Sequence, residues 1–528
     1  MATTINVTPN ATGTAATLSF AYDKDAVEWV KGFAGRSFDG TRKCWTVPLS
    51  SKNVERMIAG AKQYAIDTSR LTAAREQAQQ SIAASQSLDS NFCVRDGLLG
   101  TLRPYQSAAV GYKQGRRAVY IGDEMGLRKT ISALAIVHHE NGYPACVFSP
   151  AVVATNWRAE AKAWLGDGIR VQLLTSAKTE VDPGADIVIA SYGSAHNTSV
   201  QTSTFATVIC DEAHFVKNSQ SKRAQAVSAV AAKAESLIML SGTPLTNKPR
   251  DLYAQLELMG LAGYGKEFGG FKQFATRYCG GEETKYGFKA DGATNMSELA
   301  ERMRATCYIR RVKEQVLTEL PDLQRQTISV DIAAEFKREL SAIKNSIIKE
   351  QPGAVLSALT KSMAVLGRAK VSAALDFIED CDDKLIVFSS HVDVQRALLD
   401  GLHEKEIGHV HILGDDSMSA RDVAVTAFQS DASVRVVVCS TLAASVGITL
   451  TAASTVLFVE QDFTAAVLDQ AEARAHRMGQ KNAVNAVYLV ARHEIDEELA
   501  GLIAHKRRVA HKLAEPVTGD LLRVFGSK

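Results

Sequence analysis

Four groups of residues in this chain have the types and spacing to act on a phosphate. Asp211-Glu212-Ala213-His214 follows the apolar run Thr207-Val208-Ile209-Cys210. A short apolar run reads as a buried strand, and an acidic pair at its carboxyl end lies where open α/β sheets place their ligands. Asp211 would hold Mg²⁺, which takes hard oxygen ligands, and Glu212 would polarise an attacking water. The same acids could instead cap and open the next helix. A second group, Gly122-Asp123-Glu124-Met125-Gly126-Leu127-Arg128-Lys129-Thr130, separates the run Ala118 to Ile121 from the apolar stretch Ile131 to Val137. Strand, loop and helix in that order is the setting of a phosphate-binding loop. Backbone N–H groups at the helix start would face phosphate oxygens, so Asp123 through Thr130 are expected at a nucleotide. Lys129 would reach the β- and γ-phosphates, and the Thr130 hydroxyl would join Asp211 on the metal.

Arg128 stands where such loops usually carry glycine. Glycine serves there because the backbone needs unusual dihedrals and a close approach to phosphate. A non-glycine residue at positive φ costs on the order of 1 kcal/mol. Arg128 is therefore expected to absorb strain, to shift the loop or to slow turnover. The third group is Gln470, Arg474 and Arg477, at i, i+4 and i+7. One helix would present them on one face, where two guanidiniums can engage a γ-phosphate in the manner of an arginine finger. A solvated basic face with Glu472 as intrahelical partner fits the same letters. The fourth is Ser241-Gly242-Thr243-Pro244 after the run Leu237 to Leu240. Small hydroxylated residues there can satisfy backbone and phosphate oxygens without bulk, although the string also suits an ordinary turn.

Positioning these groups requires sheets. From Cys93 onward, apolar runs at Ala118–Ile121, Ala145–Phe148, Ile187–Ala190, Val208–Cys210 and Leu237–Leu240 alternate with helical stretches, the pattern of a parallel sheet with crossover helices. The pattern resumes at Lys384–Phe388, Val434–Val438, Thr455–Val459 and Val484–Val490, after a stretch with helical content from about 334 to 380. Residues 18 to 68 read as a small α+β unit, with a strand at Leu18–Tyr22, a helix from Asp25 capped by Asp23 or Asp25, a turn at Phe38–Thr41, a strand at Cys44–Pro48 and a helix from Ser51. Thr72 to Ser87 reads as a surface helix or linker, and residues up to Thr17 as a loose tail or an edge strand. The expected fold class is α/β: two RecA-like parallel-sheet lobes with helical insertions, at 91–330 and 331–528, behind a small N-terminal domain and linker at 1–90.

Composition narrows the partners. The chain has 528 residues, 46% hydrophobic and 22% charged, with net charge +2. That length exceeds one core, and the near-zero charge means that any nucleic-acid site is a local patch. The eight cysteines include no C-x-x-C pair, so neither zinc nor a disulfide framework is expected, and a reducing compartment fits. No signal peptide or membrane-spanning stretch is visible.

The strings Asp-Glu-Met-Gly-Leu-x-Lys-Thr at 123–130, Asp211–His214, Ser241–Asn247 and Gln470–Gln480 occur in an order that resembles the Snf2 family of helicase superfamily 2 over about residues 98 to 512. The resemblance implies a DNA-dependent ATPase that uses ATP and Mg²⁺, with the nucleotide in a cleft between lobes. It implies that Arg103 and Gln106 contact adenine, that Ser149, Pro150, Asn156, Trp157 and Tyr192 contact DNA, and that His214, Ser241, Gly242 and Thr243 couple hydrolysis to movement. Gly447 and Gln470 would line the nucleotide site, and Ser440 and Thr441 would meet the DNA backbone. Lys384 to Ser390 resembles the strand that starts the second lobe's core motifs, and Arg310–Lys313 with Leu320-Pro321 the interlobe connector. Ile495–Glu497 with Lys506 resembles a bracing C-terminal helix. The Phe38-Asp39 turn with Trp45-x-Val47-Pro48 resembles the HARP-type domain of annealing helicases, in which Trp45 would stack on an unpaired base; Trp45 as a core aromatic is the alternative. The expected partner is duplex, forked or branched DNA, with the chain acting as a monomer in a bacterial cell or host cytoplasm, or in a nucleus if the source is eukaryotic. A nucleotide-gated clamp with weak turnover and a strand-separating DNA or RNA helicase are the rival activities.

Overall fold

The computed structural model describes residues 3–10, 12–40, 42–90, 92–176, 178–242, 248–285, 287–317, 319–347, 352–441 and 448–514. The chain forms two compact units. One takes Met1–Glu124, Arg128–Val312 and Val509–Lys528, and the other Met125–Leu127 and Lys313–Arg508.

The first unit begins with β1 (Asn6–Pro9), β2 (Ala15–Ser19), α1 (Lys24–Lys31), β3 (Ser37–Asp39), β4 (Cys44–Pro48) and α2 (Ser51–Gly60). The strands make an antiparallel sheet in the order β1-β2-β4-β3. Asp23 caps α1 by accepting from the N–H groups of Asp25 and Ala26, which satisfies two donors that the helix start would leave open. The N-terminal stretch is thus an edge strand followed by an inner one. α3 (Ser69–Gln86) takes the helical of the two forms, surface helix or linker, expected of its Ala- and Gln-rich composition, but buries one face. Leu71, Ala74, Ala78, Ile82 and Ser85 recur every three or four residues and are buried. Small residues on that stripe let another helix approach closely, and Ala78 and Ile82 cluster with Ala305. The N-terminal sheet is anchored through Glu267, which accepts from Thr12 Oγ1 at 3.0 Å and also from Asn10 and Thr14.

The unit continues with α4 (Pro104–Lys113), β5 (Ala118–Ile121), α5 (Lys129–Glu140), β6 (Ala145–Ser149), α6 (Ala154–Leu165), β7 (Val171–Leu173), β8 (Ile187–Ser191), α7 (Thr198–Thr202), β9 (Thr207–Asp211), α8 (Lys222–Ala231) and β10 (Ser236–Leu240). Then follow α9 (Asp251–Leu258), α10 (Phe271–Tyr278), the hairpin β11 (Glu282–Thr284) and β12 (Gly287–Lys289), α11 (Met296–Thr306) and β13 (Tyr308–Ile309). β5 to β10 and β13 form one seven-stranded sheet in the order β13-β5-β10-β9-β6-β8-β7, and every pairing is parallel. Alternate residues of the same strands enter two apolar clusters, Tyr120, Cys146 and Val208 on one face and Val119, Val147 and Ile209 on the other. Burial on both faces is why these strands read as continuous apolar runs.

The second unit carries α12 (Lys313–Val316), β14 (Leu323–Val330), α13 (Ala334–Ile347), α14 (Pro352–Ala369), α15 (Val371–Glu379), β15 (Leu385–Ser389), α16 (Val392–Glu404), β16 (His409–Ile412) and α17 (Met418–Ser430). It ends with β17 (Val436–Ser440), β18 (Thr455–Phe458), α18 (Ala465–Glu472), β19 (Val484–Ala491) and α19 (Glu494–Ala514). Its six-stranded sheet runs β14-β19-β18-β15-β17-β16, again all parallel. β14 has no apolar run to announce it, because Gln324, Arg325, Gln326 and Thr327 are exposed on an edge strand. Among the described residues no helix is long and apolar enough to cross a membrane.

Candidate active site

Register places three loops side by side. β9, β10 and β5 are neighbours, with Asp211 opposite Leu240 and Leu240 opposite Ile121. Asp211, Ser241 and Gly122 therefore share the carboxyl edge of one sheet. A Cβ on Gly122 would lie 2.3 Å from Tyr308 Cε2, so the start of the loop needs glycine. Gly126 has φ 89°, and Arg128 takes φ 48° and ψ 51° at the N-cap of α5. Arg128 thus keeps the left-handed backbone that a glycine would adopt, absorbing strain of about 1 kcal/mol. Half-buried Lys129 donates to the carbonyls of Asp123 at 2.9 Å and Glu124 at 3.4 Å. Burial lowers its pKa, and the carboxylates of Glu212, Asp123 and Asp211 oppose that. The Asp123 carboxylate is fully buried and pairs with Arg311, whose Nη1 lies 3.2 Å from Oδ2 and whose N–H donates to Oδ1 at 2.9 Å. This side chain shapes the loop from beneath, so only its backbone remains for a nucleotide.

Asp211 accepts from Trp157 Nε1 at 2.7 Å on Oδ2 and from the Glu212 N–H at 3.0 Å on Oδ1. Tyr192 Oη donates to the Asp211 carbonyl at 2.7 Å. Burial, and then the neighbouring Glu212 charge, pushes the Asp211 carboxyl up to about 6, while the Trp157 bond and Lys129 pull it down. Glu212 sits at φ 50° and ψ 58° before a short 3₁₀ turn, Ala213–Val216, and makes no side-chain cap bond. Helix capping is therefore not what these acids do. Instead Glu212 Oε2 accepts from Ser241 Oγ at 3.4 Å and lies 3.3 Å from His214 Nδ1. Arg310, which the sequence marked only as connector, donates to the carbonyls of Gly122 at 2.6 Å and Gly242 at 3.0 Å, joining two of the loops. Thr243 lies outside the described residues. Thr130 is part-exposed on the first turn of α5. No group of three or more potential metal ligands occurs among the described residues. One raised carboxylate beside a second is the donor set that suits Mg²⁺, which is typically held by one or two carboxylates together with substrate phosphates.

Several expected contacts are placed elsewhere. Gln106 is buried and uses Oε1 to accept the Arg103 N–H at 2.9 Å at the start of α4; its carbonyl serves the helix rather than an exposed base edge. Trp157 and Tyr192, expected on DNA, are buried at 1% and 3% exposure and point at Asp211. Tyr192 also stacks on Phe215 at 5.1 Å. Ser149, Pro150 and Thr441 are buried as well, whereas Asn156 is exposed and Ser440 half-buried. Ser149 and Ser440 end β6 and β17, whereas Asn156 and Trp157 lie on α6. Trp45 is opposite Leu18 in the N-terminal sheet, is partly buried against its apolar cluster and packs on Phe38 at 4.8 Å, which favours the core reading.

In the second unit, α18 ends at Glu472, so Arg474 and Arg477 lie on turns beyond the helix rather than on its face. They converge all the same. Each donates Nη1 to the Ile448 carbonyl, at 3.2 and 3.1 Å, and Arg474 Nε donates to the Gln470 carbonyl at 3.2 Å. Glu472 is not their partner. It accepts from Arg325 at 2.7 and 2.8 Å, Tyr488 at 2.6 Å and Arg507 at 3.3 Å. Gln480 Nε2 ties the turn to the Ala453 carbonyl at 2.8 Å, and Lys506 Nζ donates to the Phe463 carbonyl at 2.7 Å. Gly447 lies outside the described residues.

An SNF2-related domain matches residues 45–366, and a helicase conserved C-terminal domain matches residues 369–479. The chain belongs to the SNF2-related family. It is an ATP hydrolase. A Caenorhabditis elegans homologue of the SWI/SNF-related matrix-associated actin-dependent regulator of chromatin subfamily A-like protein 1 is 27% identical over 92% of this chain and 73% of its own. The Drosophila melanogaster protein of that name is 28% identical over 93% of this chain and 66% of its own. The human DNA annealing helicase and endonuclease ZRANB3 is 29% identical over 78% of this chain, which spans 40% of the human protein. The SWI2/SNF2 ATPase core of Sulfolobus solfataricus in complex with dsDNA aligns with 83% of this chain and 97% of its own, at 24% identity and a TM-score of 0.39.

Proposed function

We propose that this protein is a DNA-stimulated ATPase that translocates on duplex or forked DNA and remodels or reanneals branched structures. The carrying observation is the alignment of the Lys129 loop, Asp211-Glu212 and Ser241 on one sheet edge. ATP is the substrate. Thr130 and Asp211 would hold Mg²⁺, which when bound neutralises phosphate charge. Lys129 binds the phosphates, Glu212 orients the attacking water, and Arg474 and Arg477 stabilise charge in transfer. Ser241, held to Glu212, and Gly242, held to Arg310, relay the state of the site to neighbouring loops. A cleft of about 370 Å³ whose lining includes Thr155, Thr175, Ser176, Ser191 and Ser194 beside Ala151, Ala154, Leu173, Leu174 and Gly193 supports the DNA reading, because hydroxyls are common donors to phosphate oxygens and carry no sequence information. The names of the relatives above favour annealing as the output.

The test is ATP hydrolysis measured on single-stranded, duplex, forked and gapped DNA and on RNA, at low salt. Duplex or forked DNA should stimulate most, and Glu212→Gln should cut turnover by about 10³-fold while nucleotide binding persists. No stimulation by any DNA rejects the motor. Stimulation mainly by RNA favours the strand-separating helicase. The clamp reading rests on Arg128. Since the loop keeps the left-handed backbone, Arg128→Gly should change stability by no more than about 1 kcal/mol and leave turnover within a few-fold. A large gain in single-turnover hydrolysis by Arg128→Gly would favour the clamp.

A further inference from the structure

Trp157 lies on the inner side of α6, 1% exposed, in the apolar cluster that contains Val147, Ile189 and Ile209. A core aromatic needs only volume. This one spends its single donor on a carboxylate, at 2.7 Å from Asp211 Oδ2. With the Glu212 N–H on Oδ1 at 3.0 Å, each oxygen of Asp211 has one donor, which fixes the plane of the carboxylate. Tyr192 holds the carbonyl of the same residue at 2.7 Å. α6, which carries Trp157, also supplies Thr155 to the lining of the cleft, and Ser191 and Ser194 on either side of Tyr192 line it too.

We infer that Trp157 is a positioning residue for phosphate transfer: its indole N–H orients the Asp211 carboxylate for the metal and joins that carboxylate to the helix that lines the cleft. The inference rests on the reading of Asp211 as a metal ligand. Partners that orient a ligating carboxylate typically change metal affinity by about 10- to 100-fold when lost.

The test uses the full chain and a non-hydrolysable ATP analogue with an imido bridge between the β- and γ-phosphates. Its binding is measured by calorimetry across a Mg²⁺ series and in excess chelator. Trp157→Phe keeps the ring and removes the donor. It should raise the Mg²⁺ concentration for half-maximal binding about 10-fold and leave affinity in chelator unchanged. A Mg²⁺ curve that overlays the wild type, or an equal loss of affinity in chelator, overturns the inference in favour of simple packing. A wild-type chain indifferent to Mg²⁺ overturns the reading of Asp211 and the inference with it. Fluorescence gives a second measurement that leaves Trp157 in place. Adding Mg²⁺ to the nucleotide-bound chain should change indole emission in the wild type and in Trp164→Phe, and not in Trp157→Phe. A change that instead disappears in Trp164→Phe overturns the inference.

Discussion

Each parallel sheet carries a carboxylate at or just past the carboxyl end of a strand, half-buried Asp211 and buried Glu460, and the two are treated in opposite ways. Asp211, on β9 of the first unit, accepts two hydrogen bonds and has Glu212 beside it. Its carboxyl is pushed up to about 6 by burial and by that neighbour. Glu460, just past β18 in the second unit, accepts from Ser389 Oγ at 2.6 Å, the Ser390 N–H at 2.9 Å and the His391 N–H at 3.2 Å on one oxygen, with the His391 ring on the other. Burial acts to raise Glu460, but the bonds from His391 and Ser389 outweigh it and hold the carboxyl below its ordinary range. A saturated carboxylate has no capacity left for a ligand and serves the fold. An under-compensated one is unfavourable until a cation or a proton arrives, which is the state that a metal-binding acid requires.

Asp211→Asn should lower ATP turnover by about 10³-fold, roughly 4 kcal/mol of barrier, while the thermal midpoint holds or rises, because a poorly compensated charge beside Glu212 is gone. Steady-state hydrolysis beside calorimetry checks both halves, and a chain that unfolds would make Asp211 a structural acid like Glu460. The mirror-image change, Glu460→Gln, removes the charge that four donors expect. It should cost about 3 kcal/mol of stability, read by denaturant unfolding, and leave turnover per folded molecule near that of the wild type.

The contrast between the two acids was only half legible in the sequence. Asp211-Glu212 stood out because its signal is local: an apolar strand and two acids in consecutive positions. The loop proposed to hold phosphate stood out for the same reason, and Arg128 announced a left-handed residue at the position where the structure has one. What decides between a poised acid and a saturated one is long-range. Trp157 is 54 positions from Asp211, and His391 is 69 positions from Glu460. Neither pairing follows from spacing, so Trp157 reads as a surface contact and Glu460 as an unmarked acid. Arg474 and Arg477 show a subtler gap. Helical periodicity brings them to one face for the wrong reason, since α18 stops at Glu472 and the shared Ile448 carbonyl makes them converge. β14 escapes notice because an exposed edge strand lacks the apolar run that marks its neighbours.

The hydrogen bond to Glu460 raises His391 above its ordinary 6.5, against partial burial. A group whose folded pKa is raised stabilises fully below its unfolded value and loses that contribution as pH rises through the folded one. Glu460 is lowered from its ordinary 4.5, so its contribution is present above that value and is lost as pH falls. The pair therefore supports the second unit best between about 4.5 and 6.5, and its His391 share fades above that window. Thermal midpoints of the wild type and His391→Gln, taken from pH 6 to 8.5, should differ most at the acidic end and draw together as pH rises. Curves that stay parallel over the whole range would mean that His391 has the same pKa in the folded and unfolded chain, and that Glu460 does not stabilise its charged form.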